Sequence, residues 1–294
     1  MRFLRTITQF IRGVPRLHSN YSESSGSWRS RGALLGKCMM DRDGAETAPC
    51  LRCGGTLDFE FTMAFQPIVD VFTGTVHAYE ALVRGPGGES AASILDRVDD
   101  HNVYTFDQAC RVRALELAHA LGCDRTISIN FLPNAVYAPR ACIQATLAAA
   151  ERLQWPSSQL MFEVIETEAV RDRRHLQNIV ESYRAMGFVV ALDDFGTGHA
   201  NLDLLIDLRP DLIKIDRELI RDIPSAPRRQ RLVDALVTLA TALDIRLLAE
   251  GVETAAEAAW LRRRGIALQQ GYYFARPGLE QLPVVDADRF AALN

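Results

Sequence analysis

The chain has 294 residues, 48% of them hydrophobic and 24% charged, a composition typical of a globular domain. Its formal charge of -4 is unevenly distributed, because residues 1–37 carry seven cations and one anion and the remainder is therefore strongly acidic. An acidic body excludes an extended nucleic-acid face, and no apolar run approaches the roughly 20 residues of a membrane span, so neither partner is expected.

The first 58 residues are predicted to be a basic, disordered tail, rich in Arg and Ser and low in acids. Their composition resembles a transit peptide, although no secretory apolar core follows it. An over-long start is the other interpretation, with true initiation at Met39, Met40 or Met63. A sharper alternative is an amphipathic helix at 3–11 that contacts anionic lipid.

Three cysteines lie in this tail: Cys38 and the CxxC pair Cys50 and Cys53. Such a pair can bind zinc or act in redox chemistry, but a closed zinc site needs four ligands, so idle reduced thiols are the alternative. The other three cysteines lie in the body, which is no small secreted scaffold that needs disulfides. Reduced thiols and a cytoplasmic protein are therefore expected.

From about residue 59, short apolar runs alternate with amphipathic helical patterns at 106–121, 139–153, 170–186, 228–243 and 255–264. This alternation predicts an α/β fold, a TIM-like (β/α)8 barrel at 59–283 followed by a C-terminal tail at 284–294. The loop at 70–75 is too short for a helical crossover, so the first two strands should pair antiparallel. The strands are predicted at 64–69, 76–84, 126–131, 160–166, 188–194, 211–216, 245–250 and 267–274.

Polar side chains are concentrated at the carboxyl ends of these strands, the face that carries chemistry in such barrels. Alternation along the sixth strand places Lys214 on one face with Leu212 and Asp216, in a barrel whose strands are buried on both faces. The same alternation joins Glu80 and Arg84 on the second strand. The other strand-end residues are Asn130, Glu163, Glu166, Asp193, Asp194, Glu250 and Gln270.

This set of side chains is rich in carboxylates, which repel one another and need a compensating positive charge. Oxygen donors without Cys or His favour Mg²⁺ or Mn²⁺ over Zn²⁺. A carboxylate shared by two such ions about 3.5–4 Å apart is the usual arrangement for phosphoryl transfer. Each residue alone has a plainer interpretation, since Asp193 and Asp194 could belong to a turn with a helix cap. Their joint placement predicts two Mg²⁺ or Mn²⁺ ions and cleavage of a phosphodiester.

The same residues lie in motifs that resemble the EAL-domain family of cyclic di-GMP phosphodiesterases. The naming motif is Glu80-Ala81-Leu82, continued by Val83-Arg84. The resemblance covers about 220 residues, the size of one barrel domain. It implies hydrolysis of cyclic di-GMP to linear pGpG by a homodimer that lowers this second messenger in bacterial signalling. The other motifs stand at 65–69, 129–130, 162–166, 191–198, 213–217, 249–254 and 270–272.

The resemblance also implies a role for each site residue. Glu80, Lys214 and Glu250 are implied to be catalytic, with Lys214 orienting the attacking water. Asp193 is implied to contact both metal ions. The implied metal ligands are Glu80, Asn130, Glu163, Asp193, Asp194 and Glu250.

Substrate contacts are implied for Arg84, Gln270 and Asp216. Glu166 resembles the residue that anchors the loop after Asp194, which in this family couples the dimer interface to the site. The chain departs from the family near that loop, with Ile165 where Thr is usual and His199 where Tyr is usual. These departures leave open a catalytically silent cyclic di-GMP receptor or a protein-interaction adaptor.

Overall fold

The computed structural model describes residues 55–136, 138–165, 173–196 and 202–293. The predicted tail with its three cysteines lies almost wholly outside these residues, as do Glu166 and His199. Eight strands close into a barrel in the order β2 to β8 and back through β1, which confirms the predicted TIM-like α/β fold. The strands are β1 (Thr62–Asp70), β2 (Thr75–Arg84), β3 (Thr126–Phe131), β4 (Leu160–Ile165), β5 (Val189–Phe195), β6 (Leu212–Ile215), β7 (Arg246–Ala249) and β8 (Leu268–Gln269).

The first strand is the irregular member of the barrel, because it runs antiparallel to both neighbours, β2 and β8. Gln66 stands opposite Glu80 in the pairing with β2, whereas β2 through β8 pair in parallel. The reversal follows from the tight connection after β1. There the Asp70 carboxylate accepts hydrogen bonds from the backbone N–H groups of Phe72 at 2.8 Å and Thr73 at 3.1 Å. The predicted antiparallel pairing of the first two strands is confirmed.

Helices pack around the outside of the barrel close to where the sequence predicts them. The single helix predicted at 139–153 is instead two helices, joined at the buried Ile143. Several short helices were missed because so few residues show too little of the 3.6-residue period. The described helices are α1 (Ala91–Leu95), α2 (Val103–Ala120), α3 (Pro139–Cys142), α4 (Gln144–Arg152), α5 (Arg173–Ala185), α6 (Leu202–Leu208), α7 (Arg217–Ile220), α8 (Pro227–Ala242), α9 (Ala255–Arg263) and α10 (Ala287–Ala291).

The last barrel strand is shorter than the predicted segment 267–274, since β8 contains only two residues. Beyond it the chain turns, and the N–H of Phe274 donates to the carbonyl of Gly271 at 3.0 Å. A side chain at Gly271 would lie 2.1 Å from the Val252 carbonyl oxygen. Only glycine therefore allows the two backbone segments to approach so closely. The apolar residues of the predicted strand do not indicate this turn.

The chain after β8 forms two further elements, of which the second lies within the C-terminal tail predicted at 284–294. A short strand, β9 (Gly278–Leu279), pairs antiparallel with β1 at Phe65 and Ala64. Helix α10 follows, and the buried Leu293 belongs to the same apolar cluster as Trp260 of α9. The end of the described chain is thus packed on the barrel.

An apolar layer fills the lower interior of the barrel, with one residue from each of seven strands. Leu212 belongs to it, whereas the next residue, Ile213, packs outward against the helices. The strand period of two therefore returns Lys214 to the interior, one layer above Leu212. The layer consists of Ile68, Ala78, Met161, Ala191, Leu212, Leu248 and Leu268.

Two further predictions concern the cysteines and the possibility of a membrane-spanning helix. Cys110 and Cys123 are free thiols in the structure. Across the described residues, the helices are all too short or too polar to cross a lipid bilayer.

Candidate active site

A polar layer lies directly above the apolar one, at the carboxyl ends of the barrel strands. Six of the parallel strands lead to a residue two positions after their apolar one, so Glu80 follows Ala78 and Glu163 follows Met161. Most side chains of this layer are buried, and Glu163 has no exposed surface. The sequence prediction that strand-end residues meet at one rim is confirmed for Glu80, Asn130, Glu163, Asp193, Lys214, Glu250 and Gln270.

Lys214 is the central cation of this layer and is only 1% exposed. Its Nζ lies 2.7 Å from carboxylate oxygens of both Glu163 and Glu250. It lies 3.2 Å from Asp193 and 3.6 Å from Glu80. Burial by itself lowers the pKa of Lys214, but the four carboxylates outweigh burial and raise the pKa well above its ordinary value. The lysine is therefore a permanent positive charge.

Glu80 is held by two amide donors. Asn130 Nδ2 donates to one of its carboxylate oxygens at 3.1 Å, and Gln270 Nε2 donates to the other at 2.8 Å. Burial raises the pKa of Glu80, yet Lys214 and these hydrogen bonds prevail and leave the pKa below its ordinary value. Glu80 is thus fixed as a carboxylate whose remaining lone pairs face the interior.

Asp193 and Asp194 lie at an irregularity of β5, where the register with β6 shifts between Leu192 and Phe195. Asp194 has a left-handed backbone with φ of 57°, which interrupts the alternation of side chains along the strand. As a result both carboxylates reach the same side, and oxygen atoms of Asp193, Asp194 and Glu250 lie within 4.8 Å of one another. Asp193 and Asp194 therefore both contribute a carboxylate to this acid cluster, which the alternative interpretation as a turn with a helix cap would not require.

The acids of this cluster are poorly matched by positive charge. Burial and the charge of Asp193 raise the pKa of Asp194 to about 8. Burial also raises the pKa values of Glu163 and Glu250 well above the ordinary range, and neighbouring carboxylates add to the effect. A buried cluster of acids with a single lysine has a deficit of cations. Because all its donors are oxygens, the cluster fits hard divalent ions such as Mg²⁺ or Mn²⁺.

Two predicted substrate contacts lie at the edge of the layer. Arg84 is the last residue of β2, donates to the Val83 carbonyl at 2.7 Å, and lies near enough to Glu80 for their charges to interact. Asp216 caps α7, since its side chain accepts a hydrogen bond from the Glu218 N–H at 2.7 Å. The structure therefore gives Asp216 a capping contact, and its role in substrate binding stays a prediction.

Sequence reasoning missed Ser128, a buried residue of β3. Its hydroxyl donates to Glu163 at 2.5 Å, on the carboxylate oxygen that Lys214 leaves open. Ser128 stands two positions before Asn130, so strand alternation alone could have found it. It was overlooked because a single serine in a strand carries no distinctive signal.

With this geometry established, the family of the chain can be stated. The profile of the EAL domain family matches residues 57–277, about three quarters of the sequence. The chain therefore belongs to the EAL domain family.

Two curated relatives show different names within this family. The blue light- and temperature-regulated antirepressor BluF of Escherichia coli is 33% identical over 223 residues, covering 76% of this chain and 55% of that protein. The cyclic di-GMP phosphodiesterase NbdA of Pseudomonas aeruginosa is 32% identical over 248 residues, covering 79% of this chain and 30% of that protein. The chain spans about half or less of the length of these two relatives.

Two solved structures are also similar. A standalone EAL protein from Vibrio cholerae, in its cyclic di-GMP-bound form, is 50% identical with a TM-score of 0.78, covering 80% of this chain and 99% of that one. BlrP1 of Klebsiella pneumoniae, in complex with manganese and cyclic di-GMP, is 34% identical with a TM-score of 0.71, covering 79% of this chain and 59% of that one. The BlrP1 structure thus holds manganese together with cyclic di-GMP.

Proposed function

We propose that this chain hydrolyses cyclic di-GMP to linear pGpG with two Mg²⁺ or Mn²⁺ ions. The observation that carries the proposal is the group of Asp193, Asp194 and Glu250, whose oxygens lie within 4.8 Å of one another beside the buried Lys214. The 50% identity, over 80% of this chain, to a Vibrio cholerae structure bound to cyclic di-GMP supports the choice of substrate.

The proposed ligand set is the one that the resemblance to the EAL-domain family implies. Glu80, Asn130, Glu163 and Asp193 are the proposed ligands of one ion, and Asp193 with Asp194, near Glu250, holds the other. Bound ions would lower the pKa of a coordinated water and offset the charge that develops on the phosphate. They would also supply the positive charge that the buried acids lack in the apo protein.

Lys214 is proposed to orient the attacking water. In the metal-free site the four carboxylates raise the pKa of Lys214, so it is a cation with three N–H donors, and one of these could hold a water oxygen by a hydrogen bond. The water adds to one phosphorus atom, the bond to the 3′ oxygen breaks, and that oxygen takes up a proton. The product is a linear dinucleotide with one terminal phosphate.

Arg84, Gln270 and Asp216 are the proposed substrate contacts. Arg84 lies at the rim, where a guanidinium can pair with a phosphate oxygen through two N–H donors. Gln270 donates to Glu80 at 2.8 Å and is 3% exposed, so its contact with substrate would be made from within the polar layer.

The test is a turnover assay on the purified chain with Mn²⁺, with nucleotides separated by chromatography. Conversion of cyclic di-GMP to pGpG is expected, and Glu80→Gln, which keeps the size of the side chain, should reduce the rate at least about a hundredfold. Arg264→Met removes an exposed ion pair to Asp234 on the barrel surface and serves as the control. A wild-type chain that binds the substrate with its metal ions and never cleaves it contradicts the proposal.

A silent receptor or adaptor is the second candidate. The specific observation in its favour is the 33% identity to an antirepressor, a name that describes a protein contact. The departures at Ile165 and His199 fall beside the proposed coupling loop. Binding of cyclic di-GMP without turnover, together with a stable protein partner in co-purification, would favour this candidate.

The assembly and location of the chain are further proposals. We infer a homodimer in the cytoplasm, with Glu166 coupling the dimer interface to the site, and a catalytic domain at 59–283. Light scattering during size-exclusion chromatography measures the mass directly. A monomer that hydrolyses cyclic di-GMP as fast as the dimer would contradict the proposed coupling through Glu166.

A further inference from the structure

A buried ion pair lies behind the site, on the outer face of the barrel wall. Arg111 and Asp107, one turn apart on α2, are joined by a salt bridge, and Arg111 has no exposed surface. Neither residue belongs to the polar layer inside the barrel. A buried ion pair of this kind is weak evidence for stability, because well-packed apolar residues of similar size often replace such a pair without loss.

The carboxylate of Asp107 has a second partner on the barrel itself. One of its oxygens accepts a hydrogen bond from the backbone N–H of Leu132 at 3.0 Å. Leu132 directly follows β3, and it stands two residues after Asn130, the amide that donates to Glu80. Asp107 therefore fixes the end of the strand that delivers a proposed metal ligand.

The guanidinium of Arg111 packs on the same strand and on the next. Its central carbon lies 5.6 Å from the ring centres of both Phe131 and Phe162. These rings belong to the immediate neighbours of Asn130 and Glu163, on the opposite face of β3 and β4. Arg111 also donates to the hydroxyl of Tyr183 on α5 at 3.0 Å, so the pair is tied to a second helix.

We propose that Asp107 is a positioning residue, which holds Asn130 and Glu80 in metal-binding geometry through the Leu132 N–H, while Arg111 offsets the charge of its buried carboxylate. The inference rests on the proposed function for the presence of metal ions. Outer partners that orient metal ligands commonly change metal affinity or activity by about 10- to 100-fold when they are removed.

Two variants separate positioning from stability. Arg111→Met alone leaves Asp107 in place as an acceptor for the Leu132 N–H, but it leaves a buried acid without its cation. Asp107→Leu combined with Arg111→Met replaces the whole pair by apolar side chains and removes that acceptor. The double variant should melt at or above the temperature of the single variant, and within about 3 °C of the wild type.

The Mn²⁺ affinities of the two variants should rank in the opposite order to their melting temperatures. By calorimetric titration with Mn²⁺ alone, the double variant should bind about tenfold more weakly than the wild type, and Arg111→Met should lie within about threefold of the wild type. Glu116→Leu with Arg152→Met is the matched control, since it removes an exposed 2.6 Å ion pair between the same helix α2 and α4. Its Mn²⁺ affinity should be unchanged.

A Mn²⁺ affinity that simply follows the melting temperature across these variants would overturn the inference. Should the double variant not fold, amide hydrogen exchange on the wild type takes its place. Because coupling between two sites is reciprocal, Mn²⁺ should slow exchange at the Leu132 amide by about the same tenfold factor, and an unchanged rate would overturn the inference. A wild-type chain that binds Mn²⁺ but does not cleave cyclic di-GMP contradicts the proposed function alone and leaves this comparison valid.

Discussion

Replacing Lys214 by methionine should destabilise the apo protein and make its stability depend strongly on metal. In the structure the ammonium lies between 2.7 and 3.6 Å from four carboxylates and is 1% exposed. Methionine preserves most of the volume and removes the charge. The acids then repel one another in a site from which water is largely excluded.

The magnitude follows from the cost of breaking a buried ion pair. Removing one partner of such a pair typically costs about 3–5 kcal/mol, because the remaining charge is left buried and uncompensated. Some of the acids would take up protons, which limits the cost to that range despite the presence of four partners. At 2–4 °C per kcal/mol for a domain of this size, the melting temperature in EDTA should fall by roughly 10 °C.

The assay is thermal unfolding of Lys214→Met and wild type, each in EDTA and in saturating Mn²⁺. Since bound ions supply the missing positive charge, Mn²⁺ should raise the melting temperature of the variant by more than that of the wild type. Turnover should be lost, because Lys214 is the residue proposed to orient the attacking water. An apo variant as stable as the wild type, or an equal response to Mn²⁺, would refute the electrostatic account of this layer.

Two other substitutions test how the rim is built. Gly271→Ala should cost about 3 kcal/mol or more and abolish turnover, because the new methyl group would lie 2.1 Å from the backbone of Val252. Gly122→Ala is its control, with no atom within 4 Å, and should cost only about 1 kcal/mol for its positive φ; equal urea midpoints for the two would contradict the clash. Glu257→Gln should cost about 2 kcal/mol in urea unfolding, because the Glu257 carboxylate accepts hydrogen bonds from three backbone N–H groups, two in the loop after β7 and one after α7. No change in that midpoint would mean that these bonds contribute nothing to the fold.

The interior residues were the most predictable part of the site. The strand period of two places Lys214 above Leu212 without any tertiary information, and the structure confirms both. Asn130 and Glu163 were found in the same way, since adjacent parallel strands bring the ends of their segments together. Predictions of this kind succeed because the alternation is a local property of an extended chain.

Features that depend on distant contacts could not be predicted. The turn that shortens β8 arises where Gly271 meets the backbone of Val252, a contact that apolar periodicity does not encode. Asp107 lies in the helix predicted at 106–121, but its contact with Leu132, 25 positions away, is not encoded in the helical period. The short helix α7 was missed because its cap, Asp216, was assigned to the site rather than to the end of a helix.

The measurement that tests the central claim most directly is turnover of cyclic di-GMP by the purified chain, with Mn²⁺ and again with EDTA. Hydrolysis to pGpG in Mn²⁺, its absence in EDTA, and its loss in Glu80→Gln are the predicted results. Continued hydrolysis in EDTA, or binding of both Mn²⁺ and cyclic di-GMP with no product after prolonged incubation, would contradict the account.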